Sequence, residues 1–183
     1  LWFDGVDDYV YLDKIDDGAN PTFDNAVYVR TGVFWYKVDN ISNMQVIYEE
    51  GGYGNGLNLY INNGEVYAGA WSETNNWDGI WLCTSTTANE WHMVVYVFDY
   101  NESRTFKLYH DGVLIASASV PTYICEHSGD DAIGAMIKDT KINNMDKHGN
   151  GLWFKGFIDN VRIYDRALSD DEILALYLQT MVD

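Results

Sequence analysis

Proline, cysteine and basic side chains are all scarce in this chain. Its 183 residues hold 2 Pro, 2 Cys and 11 Lys plus Arg. So little proline excludes a Pro-rich linker or a collagenous chain. Cys83 and Cys125 are too few for a disulfide scaffold and lack the spacing of a metal site. If the chain is exported they can pair, closing a loop of about forty residues worth roughly 3–4 kcal/mol; otherwise they pack as small hydrophobes. No run of 18 apolar residues exists, so no membrane-spanning helix is expected. The 28 Asp plus Glu leave a net charge of −17, which repels phosphate backbones and excludes nucleic acid as a partner. An anionic membrane surface is disfavoured for the same reason. Such acidity suits cations, calcium above all, and neutral ligands such as glycans, and it also serves plain solubility. Leu1 is no initiator methionine and no signal-like segment precedes the first strand pattern. The chain therefore reads as a processed protein, or as one domain (1–183) excised from a longer multidomain protein.

What is abundant is aromatic and apolar: 7 Trp, 14 Tyr and 7 Phe, within 47% hydrophobic residues, enough for a sizeable core. Alternation with period two dominates. Residues 27–38 form a long β-branched and aromatic run. Residues 56–61 and 65–70 alternate around Asn63-Gly64, the strongest short hairpin signal, and residues 105–109 and 113–116 do so around Asp111-Gly112. Residues 91–98 are apolar nearly throughout, which predicts burial on both faces. Only one helix is expected, introduced by the capping box Ser169-Asp170-Asp171-Glu172 and placed on a sheet edge or rim. Ten to twelve strands and one short C-terminal helix predict an all-β chain: a two-sheet antiparallel β-sandwich or jelly roll. Two polar stretches, residues 72–79 and 138–151, are expected to be loops, where binding usually sits on a rigid sandwich.

Several segments carry a family resemblance. The opening Phe3-Asp4-Gly5-Val6-Asp7-Asp8-Tyr9-Val10 and the closing run from Phe154 through Asp159-Asn160-Val161-Arg162 to Glu172-Ile173 resemble those of laminin-G-like, concanavalin A-like jelly-roll domains. Between them, Asn89-Glu90-Trp91-His92-Met93-Val94-Val95, Leu108-Tyr109-His110-Asp111-Gly112 and Ile133-Gly134 resemble the central strand motifs, in order. The resemblance spans nearly the whole chain and implies the fold. It is weak for function, because such domains serve as lectins, carbohydrate-binding modules, adhesins and some enzymes. On the residues themselves, His92 reads as a packed, hydrogen-bonded histidine. Gly5 and Gly156 read as positions of close backbone approach or positive φ.

Two kinds of site are compatible with these residues, and a third is not. For calcium, Asp4, Asp7 and Asp8 cluster in a turn beside Gly5, where they could equally cap the turn through Asx hydrogen bonds. The resemblance implies that the first and last strands pair, bringing Asp159 to Asp4; Asp4, Asp8 and Asp159 are thus the expected metal ligands. For a glycan, Trp71, Trp77 and Trp81 fall within eleven residues rich in Asn, Asp and Glu. Trp71 and Trp81 are expected in the core and Trp77 as an exposed ring flanked by Asn75, Asn76 and Asp78. Tyr53 on the Gly-rich loop 51–56, and Asn144 and Asp146 on the 138–151 loop, complete the expected ligand set. For catalysis, no Glu-x-Asp-x-(x)-Glu strand is present, and Glu49-Glu50 are adjacent and point to opposite faces. The expectation is a non-catalytic, extracellular or cell- or virion-surface module that binds glycan or cell-surface polysaccharide, with calcium as cofactor. The alternative is a protein-interaction, structural or virion-decoration module.

Overall fold

The run from Val29 to Val38 is the spine of the molecule, and both of its faces are covered. The computed structural model describes residues 1–12, 25–127 and 129–180. Within these, the strands are β1 (Trp2–Asp4), β2 (Val10–Tyr11), β3 (Val29–Val38), β4 (Gln45–Gly51), β5 (Asn55–Asn62), β6 (Glu65–Ser72) and β7 (Trp77–Ser85). They continue as β8 (His92–Asp99), β9 (Thr105–His110), β10 (Val113–Ser119), β11 (Ala132–Ile133), β12 (Asp139–Ile142), β13 (Met145–His148) and β14 (Lys155–Tyr164). One helix follows, α1 (Asp170–Thr180). No helix among the described residues is long and apolar enough to cross a membrane.

The strands form two six-stranded antiparallel sheets. Sheet I has the order β1-β14-β3-β8-β9-β10, and sheet II the order β2-β11-β4-β5-β6-β7. Both predicted tight hairpins form. Asn63 and Gly64 take positive φ between β5 and β6, and Asp111 and Gly112 do so between β9 and β10, the backbone that a twisted two-residue connection requires. The inter-sheet core is aromatic: Phe34, Tyr36, Tyr48, Tyr96, Phe98, Phe106 and Phe154 pack with Leu57, Leu59 and Val94.

The near-continuous apolar run of β8, and the apolar outward-facing residues of β3, are explained by α1. The helix lies on the outer face of sheet I, where Leu168 and Ile173 pack on Val33, Trp35, Met93, Val95 and Val97. Tyr177 stacks on Trp35 at 5.7 Å and 3°. This corrects the expected place on a sheet edge: the helix covers the middle of the sheet. Its predicted capping box is present in both directions, with the Glu172 amide donating to Ser169 Oγ (3.3 Å) and the Ser169 amide donating to Glu172 Oε2 (2.9 Å).

Both expected loops are more structured than their composition suggested. Residues 138–151 contain the hairpin β12–β13, whose turn residues Asn143 and Asn144 have positive φ. It lies over the outer face of sheet II, with Ile142 and Met136 packed on Val46 and Tyr60. Residues 72–79 make a single 3-10 turn, Glu73–Asn75, and then enter β7 directly. Cys83, half-buried on β7, and Cys125, buried, are free thiols and do not pair.

Candidate functional site

Three segments meet at one end of sheet II: the β4–β5 connection (Gly52, Tyr53, Gly54), Glu126, His127 and Gly129, and Lys138 with Asp139 at the start of β12. Together with Asn25 and Asn55 they enclose an open cleft of about 560 Å³, within the usual range for a small-ligand site.

The cleft is held by side-chain-to-backbone bonds. Asn55 Nδ2 donates to Thr74 Oγ1 (2.9 Å) and to the Glu126 carbonyl (3.2 Å), while its Oδ1 accepts from Ser72 Oγ (3.2 Å) and the Thr74 amide (3.3 Å). One buried amide thus ties three loops. Trp71 Nε1 donates to the Gly52 carbonyl at 3.0 Å, and the Gly51 amide donates to Asp131 Oδ1 at 2.8 Å. Gly129 lies against the Gly51 carbonyl so closely that a Cβ would stand 1.7 Å from that oxygen, so only glycine fits there.

Around the rim, Tyr53 is about half exposed (51%). Its ring meets the His148 ring edge-on at 5.9 Å. His148 Nδ1 lies 2.6 Å from Asp139 Oδ1, and Lys138 Nζ donates to Asp130 Oδ1 at 2.8 Å. A flat exposed ring thus stands among short polar and charged groups.

Beneath His127 lies a buried ion pair. Arg30 bonds Glu50 Oε1, Tyr48 OH donates to Glu50 Oε2 (2.5 Å), and His127 Nε2 is 3.8 Å from Oε1. Burial pushes the Glu50 carboxyl up, but Arg30, His127 and Tyr48 outweigh it and hold it below its ordinary value. Glu49 faces the other way, onto the outer face of sheet II. Burial, with Asp131 nearby, pushes its carboxyl well above the usual range, against the opposing Ile137 backbone. The two carboxylates face opposite sides of β4 and do not share one space, as the alternation predicts.

A row of polar groups crosses the same outer face. Glu49, Asn58, Gly69 and Trp81 are register partners on β4, β5, β6 and β7. A Cβ on Gly69 would stand 2.4 Å from Asn58 Oδ1 and 2.6 Å from Trp81 Nε1, so the absent side chain lets those two groups converge. Hairpin β12–β13 covers the row: Asn58 Nδ2 donates to the Lys141 carbonyl at 2.7 Å, and Lys141 pairs with Glu73.

The residues expected from sequence fall in three places. Tyr53 lines the cleft. Asn144 and Asp146 lie exposed on β12–β13, outside the cleft lining, with Asp146 3.8 Å from Lys141 Nζ. Asn75, Asn76, Trp77 and Asp78 do not line it either. Asn75 Nδ2 donates to the Tyr123 carbonyl at 3.0 Å. Asn76 is a left-handed turn residue whose amide donates to the Glu73 carbonyl at 2.8 Å. Trp77 is a correction: its ring is half-buried against the inter-sheet core, 6.4 Å from Phe98. Trp77 opens β7, which sends the ring inward while Asn76 and Asp78 stay exposed. Trp71 is buried, as expected, but Trp81 is only half-buried and lies on the outer face.

The metal set is also divided. Asp4, Asp7 and Asp8 each bring a carboxylate oxygen within 4.8 Å of the others. Asp8 Oδ2 accepts from the Asp4 amide (3.0 Å) and Asp4 Oδ1 from the Val6 amide (2.7 Å), the Asx capping pattern. Three carboxylates on one turn offer fewer oxygens than the six to eight calcium takes. Asp159 is not with them. β1 and β14 pair as the resemblance implied, but Asp4 faces Lys155, and Asp159 lies four residues further along β14, about 13 Å away at strand rise. Its Oδ1 accepts from the Asn160 amide at 2.8 Å.

The sequence model of the concanavalin A-like lectin/glucanases superfamily, in its laminin G form, matches residues 4–174. The chain belongs to this superfamily. Comparison with curated protein sequences gave no match. Among solved structures, a family-40 carbohydrate-binding module of the Ruminococcus gnavus IT-sialidase, bound to α2,3-sialyllactose, is similar with a TM-score of 0.66 and 22% identity. That similarity covers 83% of this chain and 84% of that one. The NanB sialidase of Streptococcus pneumoniae gives a TM-score of 0.71 at 16% identity, over 94% of this chain and 27% of that one. The receptor-binding domain of botulinum neurotoxin D gives 0.69 at 17% identity, over 98% of this chain and 43% of that one. At these identities the likeness is one of fold.

Proposed function

We propose that this chain is a non-catalytic carbohydrate-binding module whose glycan site is the cleft around Tyr53. The observation that carries the reading is an exposed aromatic ring at the mouth of a cleft rimmed by amide, carboxylate, imidazole and ammonium groups. A sugar's apolar face suits the ring and its hydroxyls suit the rim. The sialyllactose complex of the Ruminococcus gnavus module supports a glycan as ligand. The net charge of −17 favours neutral glycans over sialylated ones for this chain. Extracellular display accords with a polysaccharide ligand. A structural calcium on Asp4, Asp7 and Asp8, without Asp159, would need further oxygens from backbone carbonyls or water. An array of neutral and sialylated glycans, probed with and without chelator, tests the reading. Binding to neutral oligosaccharides supports it, and silence across the array opposes it.

One observation favours the second reading, a protein-interaction module. Strand β10 is the edge of sheet I and exposes Val113, Leu114 and Ile115 side by side, an apolar edge that a partner strand or a second copy could cover. A silent array together with a concentration-dependent oligomer lost on Leu114→Lys would establish that reading instead.

A further inference from the structure

At the far end of β3 from Arg30, a second polar cluster stands apart from the cleft. Tyr36 on β3 is the register partner of His92 on β8, and Val94 is that of His110 on β9. Tyr36 and Val94 face the inter-sheet core, so both histidines, in step with them, face inward at the sandwich end. Their rings lie 4.8 Å apart at 30°. Between them sits Asp111, from the β9–β10 turn. His92 Nδ1 is 2.8 Å from Asp111 Oδ2, and His110 Nδ1 is 3.5 Å from the same oxygen. The Met93 amide donates to Asp111 Oδ1 at 2.8 Å and fixes the carboxylate.

The outer nitrogens are held by hydroxyls. His92 Nε2 is 2.8 Å from Thr87 Oγ1, and His110 Nε2 is 3.0 Å from Tyr36 OH. Thr87 has one hydroxyl proton, which goes to Glu90 Oε2 at 2.6 Å. Thr87 must therefore accept from His92 Nε2–H. In the neutral ring Nδ1 is then the lone-pair atom, and it faces an acceptor-only carboxylate oxygen. Lone pairs converging at this range call for a cation, either a proton on the ring or a metal ion. Imidazoles anchored at one nitrogen and aimed with the other are how proteins present histidine ligands. With their side chains 13%, 11% and 29% exposed, His92, His110 and Asp111 are sheltered without being closed to solvent.

We propose that His92 Nδ1, His110 Nδ1 and Asp111 Oδ2 form a binding site for a divalent transition ion of the zinc class. Two imidazoles and one carboxylate suit a borderline ion and leave a fourth position for water. Calcium, which takes oxygen ligands, is the wrong ion for this set. The site is independent of the glycan reading. It sits where a bound ion would clamp β8, the end of β9 and the β9–β10 turn together.

The test is calorimetric titration of zinc chloride alone into chelator-stripped protein at pH 7.5, for the wild type, His110→Gln and His148→Gln. The site predicts one zinc per chain, at least tenfold weaker in His110→Gln and unchanged in His148→Gln. Nitrogen-15 spectra of wild-type histidines supply the second readout, which needs no variant: zinc should shift His92 and His110 Nδ1. No binding, or binding that tracks the exposed His148–Asp139 pair instead, would overturn the site and leave His92 and Asp111 as a hydrogen-bonded pair.

Discussion

Glu50 and Glu49 show how completely one residue step changes the chemistry of a strand. Glu50 is ionised within a buried pair, and removing its charge would break the buried Arg30–Glu50 ion pair. Glu50→Gln should therefore destabilise the fold by about 3–5 kcal/mol, lowering Tm by on the order of 10 °C in a thermal melt at pH 7. Because Glu50 is held below its ordinary value, its contribution is present at neutral pH and fades as pH falls through the folded-state value. Glu49 has the opposite sign. Its folded-state value is raised, so its contribution is present at acid pH and is lost as pH rises above the ordinary carboxylate range. Glu49→Gln should raise Tm, and the gain should widen between pH 5 and pH 8. A gain that shrinks with rising pH would contradict the raised value.

At the scale of elements, Trp77 is the instructive residue. Its half-buried ring anchors the start of β7 against Phe98. Trp77→Ala should cost stability toward the lower end of about 3–5 kcal/mol while leaving glycan affinity per folded molecule unchanged, measured by melting and by titration on the same sample. The sandwich, the two tight hairpins and the capping box were legible in sequence because each rests on local chemistry: alternation, Asn-Gly or Asp-Gly pairs, and Ser-x-x-Glu. The placement of α1 was not, since covering β3 and β8 is a long-range event. The continuous apolar run of β8 did signal that a second layer had to exist. Tyr53 was legible as an aromatic on a Gly-rich loop. Asn55, Lys138 and Asp139 lie in the two loops singled out from sequence without being singled out themselves, and Glu126 and His127 were missed outright, because the cleft unites segments more than eighty residues apart and nothing local marks such a meeting. Asp159 was misplaced for a related reason. Strand pairing was foreseen, but the register, Asp4 opposite Lys155, was not.

For the whole molecule, the acidic charge and the Asp4–Asp8 turn bear on calcium. If a cation sits there, it binds the folded state alone and raises Tm by linkage. Restoring millimolar calcium after chelation should then increase Tm in the wild type and not in Asp8→Asn, and no shift in the wild type would remove calcium from the account. The central claim concerns the Tyr53 cleft, and one measurement addresses it most directly: titration of the best array-selected oligosaccharide into wild type and Tyr53→Ala, each melted in parallel. An exposed side chain contributes little to stability, within about 0.5 kcal/mol, whereas a stacking ring at a binding site is worth on the order of 1–2 kcal/mol, or about tenfold or more in affinity. The account predicts that Tyr53→Ala loses at least tenfold in affinity with Tm nearly unchanged. Undiminished affinity in Tyr53→Ala would contradict it and place the glycan elsewhere on the sandwich.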